Sequence, residues 1–302
     1  MKAPTVGAVV IGRNEGSRLE TCLRSVRRDV PFIVYVDSGS SDGSVALART
    51  LGVEVVELDL GTPFTAARAR NAGVDRLLRL HGTLHLVQFI DGDCELQPGW
   101  IEAAVRFLTA DPKAAIVCGR RRERHPEASR YNRLCDTEWD TPVGPAAACG
   151  GDSLVRIDAF QAVGGFDASL IAGEEPDLCF RLRRAGWSIE RLDVEMTLHD
   201  ADMHRFSQWW QRNVRSGYAT AEAYHRRGEY EPDLRRKLLS NLFWGLPPGW
   251  LLSPILWLRV FPKKGSLYAS HIVAGKLPHL IGQVKFWRNR RRGGLGELIE
   301  YK

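Results

Sequence analysis

The sequence predicts an α/β protein: a mostly parallel central sheet flanked by helices, followed by a helical C-terminal extension. Short apolar runs rich in β-branched residues alternate with stretches of helical period, the pattern of βαβ units. Several of these runs stop abruptly at Asn, Asp or Gly. Beyond them, residues 238–258 carry no charge at all. We divide the chain into an alternating domain, residues 1–225, and an extension, residues 226–302. With 302 residues there is material for a full core, and 44% hydrophobic with 26% charged residues is ordinary soluble composition.

Residues 6–11 form the first expected strand, ending at Gly12-Arg13-Asn14-Glu15. A helix follows, with Leu19, Leu23 and Val26 at helical spacing and Cys22 beside them. Residues 32–36 make a second strand that runs into Asp37-Ser38-Gly39-Ser40-Ser41-Asp42-Gly43-Ser44. Asp42 is the expected N-cap of a helix carrying Val45, Leu47, Ala48 and Leu51. A third strand covers residues 53–58, and a helix starting near Thr65 carries Arg68, Arg70, Asn71 and Leu77. The next strand, residues 85–90, stops at Asp91-Gly92-Asp93.

After a helix over residues 100–108, a strand over 114–117 leads into Arg120-Arg121-Arg122. Residues 123–145 are polar and irregular, anchored by Tyr131 and Trp139, and read as an acceptor-side loop or a surface excursion. Cys149-Gly150-Gly151-Asp152-Ser153 precedes a helix near residues 158–163 and the turn Gly164-Gly165-Phe166-Asp167. Gly173-Glu174-Glu175-Pro176-Asp177 opens a helix with Leu178 and Leu182 inward and Arg181, Arg183 and Arg184 on its polar side; Gly186 closes it. A strand over residues 189–198 leads to His199-Asp200.

In an open parallel sheet the ligand crevice lies beyond the carboxyl ends of the strands. Asn14, Asp37 and Asp91 each follow a strand and therefore gather at one rim, where acids and glycines suit a nucleotide-type ligand. Asp91 and Asp93 suit a divalent cation, and Gly92 lets the backbone bend until both serve one site. Asp-Gly-Asp is equally ordinary turn chemistry. Glu174 and Glu175 are favoured in a helix's first turn by the macrodipole alone; a functional role needs one of them as general base beside a hydroxyl. His199 suits a structural role or a ligand's.

The net charge of +6 is mild, and its basic runs fit phosphate, lipid, nucleic acid or plain solvent. The six cysteines (Cys22, Cys94, Cys118, Cys135, Cys149, Cys179) lack zinc-site spacing and are read as reduced thiols of a cytosolic protein. No signal-peptide pattern precedes the first strand.

In order and spacing, Asn14-Glu15, the Asp37-to-Ser44 loop, Ala69-Arg70-Asn71-Ala72-Gly73, Asp91-Gly92-Asp93, Gly164-Gly165-Phe166-Asp167 and Glu174-Glu175-Pro176-Asp177-Leu178 resemble the family-2 glycosyltransferases over residues 5–220. The resemblance implies the GT-A fold and an inverting transfer of sugar from a nucleotide-diphosphate donor to a hydroxyl acceptor. By position it implies that Asn14, Glu15, Asp37, Ser38, Arg70, Asp91, Gly92, Asp93, Gly151 and Asp152 line the nucleotide-sugar site. In that reading Asp37 and its loop hold the base and ribose, with Asp91 near the ribose. Asp93 would bind Mn²⁺ or Mg²⁺ with the diphosphate, and His199 matches a histidine that completes the metal site in some relatives. Glu175 takes the position of the catalytic base, with Glu174 beside it.

Two departures stand out: Asp37-Ser38 where many relatives have two acids, and Glu174-Glu175 where Glu-Asp is usual. Residues 208–213 do not fit the Gln-x-x-Arg-Trp of processive synthases. A one-sugar, hexosyl-type transferase of polysaccharide or glycolipid synthesis is therefore expected.

The 238–258 run is long enough to span a bilayer, which takes about 20 apolar residues. Pro247, Pro248 and Pro254 would break a spanning helix, and cations flank both ends (Arg235, Arg236, Lys237; Arg259, Lys263, Lys264). With Trp244, Trp250 and Trp257 it reads as an interfacial segment, and Phe286-Trp287 with the basic run after it as a second anchor. The alternative is a broken helical pair packed on the protein. Peripheral membrane contact, a polyprenyl-linked acceptor and a place on the cytoplasmic face of the plasma membrane would follow. Nucleic acid is not expected, since the tail has no RNA-binding motif. Two rivals stay open. One is a sugar-phosphate nucleotidyltransferase, which would favour a glycine-rich, lysine-bearing loop where Arg13-Asn14-Glu15 stands. The other is a non-catalytic, membrane-docked module that binds nucleotide sugars.

Overall fold

The structure, a computed structural model, describes residues 4–62 and 64–293. The chain divides into two compact units. The first holds Met1–Arg124, Trp139–Leu170 and Glu174–Ala201; the second holds His125–Glu138, Ile171–Gly173 and Asp202–Lys302.

The first unit begins with the expected alternation: β1 (Val6–Gly12), α1 (Ser17–Asp29), β2 (Phe32–Asp37), α2 (Ser44–Thr50), β3 (Glu54–Glu57), α3 (Ala66–Leu80) and β4 (Leu86–Asp91). β5 (Cys94–Leu96), α4 (Trp100–Ala110) and β6 (Ala114–Glu123) follow. After α5 (Arg130–Trp139) come β7 (Gly144–Pro145), β8 (Ser153–Arg156), α6 (Ile157–Ala162), α7 (Glu174–Arg184) and β9 (Ser188–His199). The strands form one nine-stranded sheet in the order β3-β2-β1-β4-β8-β6-β9-β5, with β7 paired to β9.

β3, β2, β1 and β4 run parallel, as the alternation predicts. β8 enters antiparallel between β4 and β6, so the second half of the sheet is mixed. Buried on both faces, β1 and β2 read as near-continuous apolar runs. Leu19, Cys22, Leu23 and Val26 of α1 pack with Val10 and Tyr35 on one face, and Val74 and Leu77 of α3 with Val9 and Val34 on the other. α3 lies close to the sheet because Gly73 has no side chain; a Cβ there would sit 2.3 Å from Cγ1 of Val9.

Two local expectations are corrected. The N-cap of α2 is Gly43, in the left-handed region at φ 85, and not Asp42. Asp42 still accepts the amide of Ser44 at 3.1 Å, and with its other oxygen that of Gly16 at 2.9 Å. Residues 123–145 are no open loop. Their centre is α5, whose Tyr131, Leu134 and Cys135 are buried.

The second unit is helical: most of α5, then α8 (Phe206–Arg227), α9 (Pro232–Trp244), α10 (Pro247–Leu251), α11 (Ser253–Ala274) and α12 (Lys276–Arg291). α8 thus falls in this unit and not in the alternating one. α8 and α12 approach backbone to backbone, since a Cβ on Gly217 would lie 2.1 Å from O of His279, and one on Gly282 2.0 Å from O of Val214. Phe286 is buried edge-on against Tyr218 at 5.3 Å. It is a packing residue and not the outward anchor expected of it. Pro247 and Pro254 sit in the first turns of α10 and α11, where their missing N–H costs nothing. Among the described residues no helix is long and apolar enough to cross a membrane.

Candidate active site

The register of the sheet builds the rim. Gly12 of β1 pairs with Asp37, and Ile11 with Asp91, so three strand exits stand side by side. The Asn14 amide donates to Oγ of Ser40 at 2.9 Å, and the Ser41 amide donates to Oδ1 of Asn14 at 2.8 Å. Asp37 is buried and fully engaged by its own neighbourhood. Tyr35 Oη and Ser40 Oγ donate to its Oδ1, and the amides of Gly39 and Ser40 donate to its Oδ2 at 2.9 and 2.8 Å. It folds the loop and does not extend into the crevice. Ser38 is also buried, its amide on O of Gly12 at 3.1 Å, and Glu15 is paired with Arg18 at 2.9 Å.

The centre of the rim is a charge cluster around two guanidiniums. Arg70, 2% exposed in the middle of α3, binds Oδ1 of Asp91 at 2.9 Å through Nη2. Its Nη1 holds Oε1 of Glu174 at 2.9 Å and Oε1 of Glu175 at 3.0 Å. From the other side Arg121 holds Oδ2 of Asp91 at 3.0 Å and Oδ2 of Asp152 at 2.7 Å. Asp152 is fully buried. It also accepts the Thr197 hydroxyl at 2.7 Å and the Asp91 amide at 3.1 Å. Gly151 is small for a reason: a Cβ there would lie 2.7 Å from Oδ2 of Asp91 and 2.8 Å from Nη2 of Arg70.

The neighbours of Arg70 place the acids of α7. The Asn71 side chain donates to O of Phe166 at 2.7 Å and accepts its amide at 3.0 Å, which fixes the turn leading to that helix. Gly165 supplies the left-handed φ of 69 the turn needs, and its missing Cβ leaves room for Oδ1 of Asn71.

Burial opposes the charge of Asp91, but Arg70 and Arg121 outweigh it and hold the carboxyl far below the usual range. Glu175 goes the other way. Burial, and then the charge of Glu174, push it up to about 7, with Arg70 only partly offsetting them.

Beside this cluster Asp93, 5% exposed, sets Oδ2 3.4 Å from Nε2 of His199. The antiparallel pairing of Cys94 with His199 brings the two together. The Trp139 ring stands edge-on to the imidazole at 4.7 Å, and burial lowers the pKa of His199, partly countered by Glu123. Asp93, Cys94 and His199 offer ligand atoms within 4.8 Å of one another. Burial raises the Cys94 thiol well above its ordinary value in the absence of a metal.

The two acids of Asp91-Gly92-Asp93 therefore diverge into adjacent subsites, Asp91 on the guanidiniums and Asp93 on His199. Gly92 is required for close approach, not for an unusual φ, since a Cβ would meet Cγ of Glu15 and O of Ile11, each at 3.2 Å.

The model of glycosyl transferase family 2 matches residues 8–147 of this sequence. The succinoglycan biosynthesis protein ExoA of Rhizobium meliloti (strain 1021) is 27% identical over 82% of this chain and 78% of its own length. The chain is thus similar to members of glycosyltransferase family 2. A pre-mycofactocin glycosyltransferase of Mycobacterium tuberculosis is 29% identical over 65% of this chain and 42% of its own length. The mannosyltransferase PcManGT of Pyrobaculum calidifontis, solved with GDP-Man and Mn²⁺, superposes with a TM-score of 0.67 at 17% identity, over 96% of this chain and 89% of that one. The likeness to that structure shows the GT-A fold.

Of the residues expected in the site, Arg70, Asp91, Gly151, Asp152, Glu174 and Glu175 meet in one cluster, and Asp93 meets His199. Asn14, Glu15, Asp37 and Ser38 stand on the rim, with no contact to that cluster through Asp37. The sequence marks Arg121 only as part of a basic run, and does not mark Glu123 as a site residue. Their only signal is that the apolar strand continues into them: alternate positions Gly119, Arg121 and Glu123 then share one face of β6.

Proposed function

We propose that the protein moves one hexosyl unit from a nucleoside-diphosphate sugar to an acceptor hydroxyl with inversion at the anomeric carbon, in polysaccharide or glycolipid assembly. The observation that carries this reading is the Arg70 guanidinium. By gripping Glu174, Glu175 and Asp91 together it sets the acids of a helix start beside the exit of the central strand. Glu175 takes the acceptor proton as the acceptor oxygen attacks, and a base poised near 7 suits that task at neutral pH. A single displacement needs no covalent sugar–enzyme bond, and inversion follows. That functional poise also favours an enzyme over a passive binding module.

Asp93 and His199 would hold a divalent cation, which when bound supplies charge compensation for the departing diphosphate. Donors 3.4 Å apart fit a cation with bonds of about 2.1 Å, and the buried, orphaned Nδ1 of His199 marks a ring held for Nε2 ligation. One nitrogen ligand favours Mn²⁺ over Mg²⁺, and Mn²⁺ is the ion in the PcManGT complex. Asn14, Glu15 and Ser38 serve the nucleoside, with Asp37 acting through the loop it folds. The name of ExoA supports a polysaccharide pathway.

The acceptor in this reading is lipid-linked, and the second unit docks on the cytoplasmic leaflet without crossing it. Ten of the sixteen exposed large apolar side chains among the described residues fall at positions 239–261. Residues 234–293 contain twelve Lys and Arg and no acid. Exposed apolar groups framed by cations suit an anionic bilayer surface.

The test is a panel of nucleotide sugars, GDP-mannose and UDP-sugars included, with Mn²⁺ and a membrane-lipid acceptor extract. Nucleotide release and the anomeric configuration of the product are the readouts. Acceptor-dependent release with an inverted product is expected. No release from any donor returns the chain to a binding role, and a retained configuration removes the single displacement.

A further inference from the structure

We propose that Glu123 is a positioning residue for the metal site: it fixes the His199 imidazole as the Nδ1–H tautomer, so that the Nε2 lone pair faces Asp93. This rests on the cation reading above. Glu123 and His199 are cross-strand partners at the ends of β6 and β9. The Glu123 side chain is fully buried, and its Oε2 accepts the Ala201 amide at 3.1 Å. That bond, with the Arg124 amide on O of His199 at 2.8 Å, locks the strand ends together. The same Oε2 lies 3.7 Å from Nδ1 of His199, an ion-pair distance slightly too long for a hydrogen bond, and Nδ1 is buried without a hydrogen-bond partner.

A neutral imidazole carries one proton and one lone pair. His199 is flanked by a carboxylate at each nitrogen, Glu123 at Nδ1 and Asp93 at Nε2. Whichever nitrogen lacks the proton sets a lone pair against an anion, a repulsive contact unless a cation lies between. The two sides are not equivalent. Glu123 is buried and tied to a backbone amide, and Trp139 stands edge-on to the ring. Asp93 stands at the strand exit where the ligand crevice lies. The proton therefore belongs at Nδ1 and the cation between Nε2 and Asp93. Hydrogen bonding by a metal-ligating histidine through its other nitrogen is how proteins orient such rings.

The experiment measures Mn²⁺ affinity by electron paramagnetic resonance on the full chain without donor, and the His199 tautomer by ring-nitrogen NMR without metal. Loss of an orienting partner of this kind weakens metal binding about 10–100-fold. Glu123→Ala should show that loss and a mixed tautomer. Glu123→Gln keeps a carbonyl acceptor and should recover most of both; if Glu123→Ala does not fold, Glu123→Gln against wild type still reports the tautomer. Wild type showing the Nε2–H tautomer or an imidazolium, or unchanged Mn²⁺ affinity in Glu123→Ala, overturns the proposal. His199→Ala separates the two readings. If it binds Mn²⁺ as wild type does, the metal site falls and this inference with it. If His199→Ala weakens binding and Glu123→Ala does not, the positioning role alone falls.

Discussion

Replacing Glu174 by Gln should shift the pH dependence of catalysis, and the structure sets both the sign and the size. Glu174 and Glu175 meet the same Nη1 of Arg70 at 2.9 and 3.0 Å. Their oxygens therefore lie within about 6 Å, where two like charges at an effective dielectric of about 20 repel by about 3 kcal/mol, or about two pH units. Partial exposure of Glu175 reduces this, and about one unit is the working figure. Glu174→Gln removes the repulsion and leaves Arg70 to Glu175 and Asp91 alone, so both effects lower the pKa of Glu175. In wild type, with the base pushed up to about 7, kcat/KM should fall about tenfold per pH unit below that limb. In Glu174→Gln the limb should move toward acid by about one unit. The assay is nucleotide release at low donor concentration from pH 5 to 9 with saturating Mn²⁺. A limb that stays in place, or moves to higher pH, would refute the pairing of these two carboxylates as base and tuner.

Further expectations follow from the same contacts. A carboxyl whose pKa is raised on folding contributes stability below its unfolded value, lost as pH rises through the folded one. Glu175→Gln should therefore melt above wild type at pH 8 but not at pH 4, while turning over about 10²–10⁴-fold more slowly with donor affinity retained. Arg121→Met strands the buried Asp152 and should cost about 3–5 kcal/mol in denaturant titrations, much of it recovered in the double variant with Asp152→Asn. Asp93→Ala should abolish metal-dependent turnover, and full activity of wild type in excess chelator would remove the cation from the reaction. Leu251→Glu, at a side chain 85% exposed, should weaken flotation with anionic vesicles and leave turnover of a soluble acceptor unchanged; equal flotation would exclude that surface.

Much of the fold was legible because its signals are local. The apolar runs of β1, β2 and β4 and the stripe of α1 follow from periodicity, and the parallel half of the sheet follows from alternation. The antiparallel insertion of β8 did not, since which neighbour a strand pairs with is set by long-range packing. α5 was hidden because its buried residues are few among polar ones, so its period looked irregular. The site was legible where a residue sits at a strand exit or helix start, as Asp91, Asp93 and Glu175 do. The direction in which a side chain turns was not legible: Asp37 bonds within its own loop, and Phe286 packs in a core and is not an outward anchor. Arg121 was lost in a run of three arginines, because nothing local to the sequence tells which of them reaches Asp91 and Asp152.

The charge balance of the site explains why these parts belong together. Asp91, Asp93, Asp152, Glu174 and Glu175 gather at one strand exit, and two guanidiniums meet all but one of them. Arg70 and Arg121 thus supply most of the positive charge that Asp91 faces, one on each of its oxygens. Asp93 is the exception, and its neighbour is an imidazole that burial keeps from charging readily. In the reading proposed above, the remaining negative charge, on Asp93, faces the diphosphate of the donor. An anionic donor meets repulsion there unless it arrives with a dication or finds one in place. Donor affinity should therefore be coupled to Mn²⁺ affinity, and by linkage the donor must tighten Mn²⁺ by the same factor. Titrating each in the presence of the other measures that factor twice. A factor near one in both directions would mean that the acids of this rim bind something other than the cation of a nucleotide sugar.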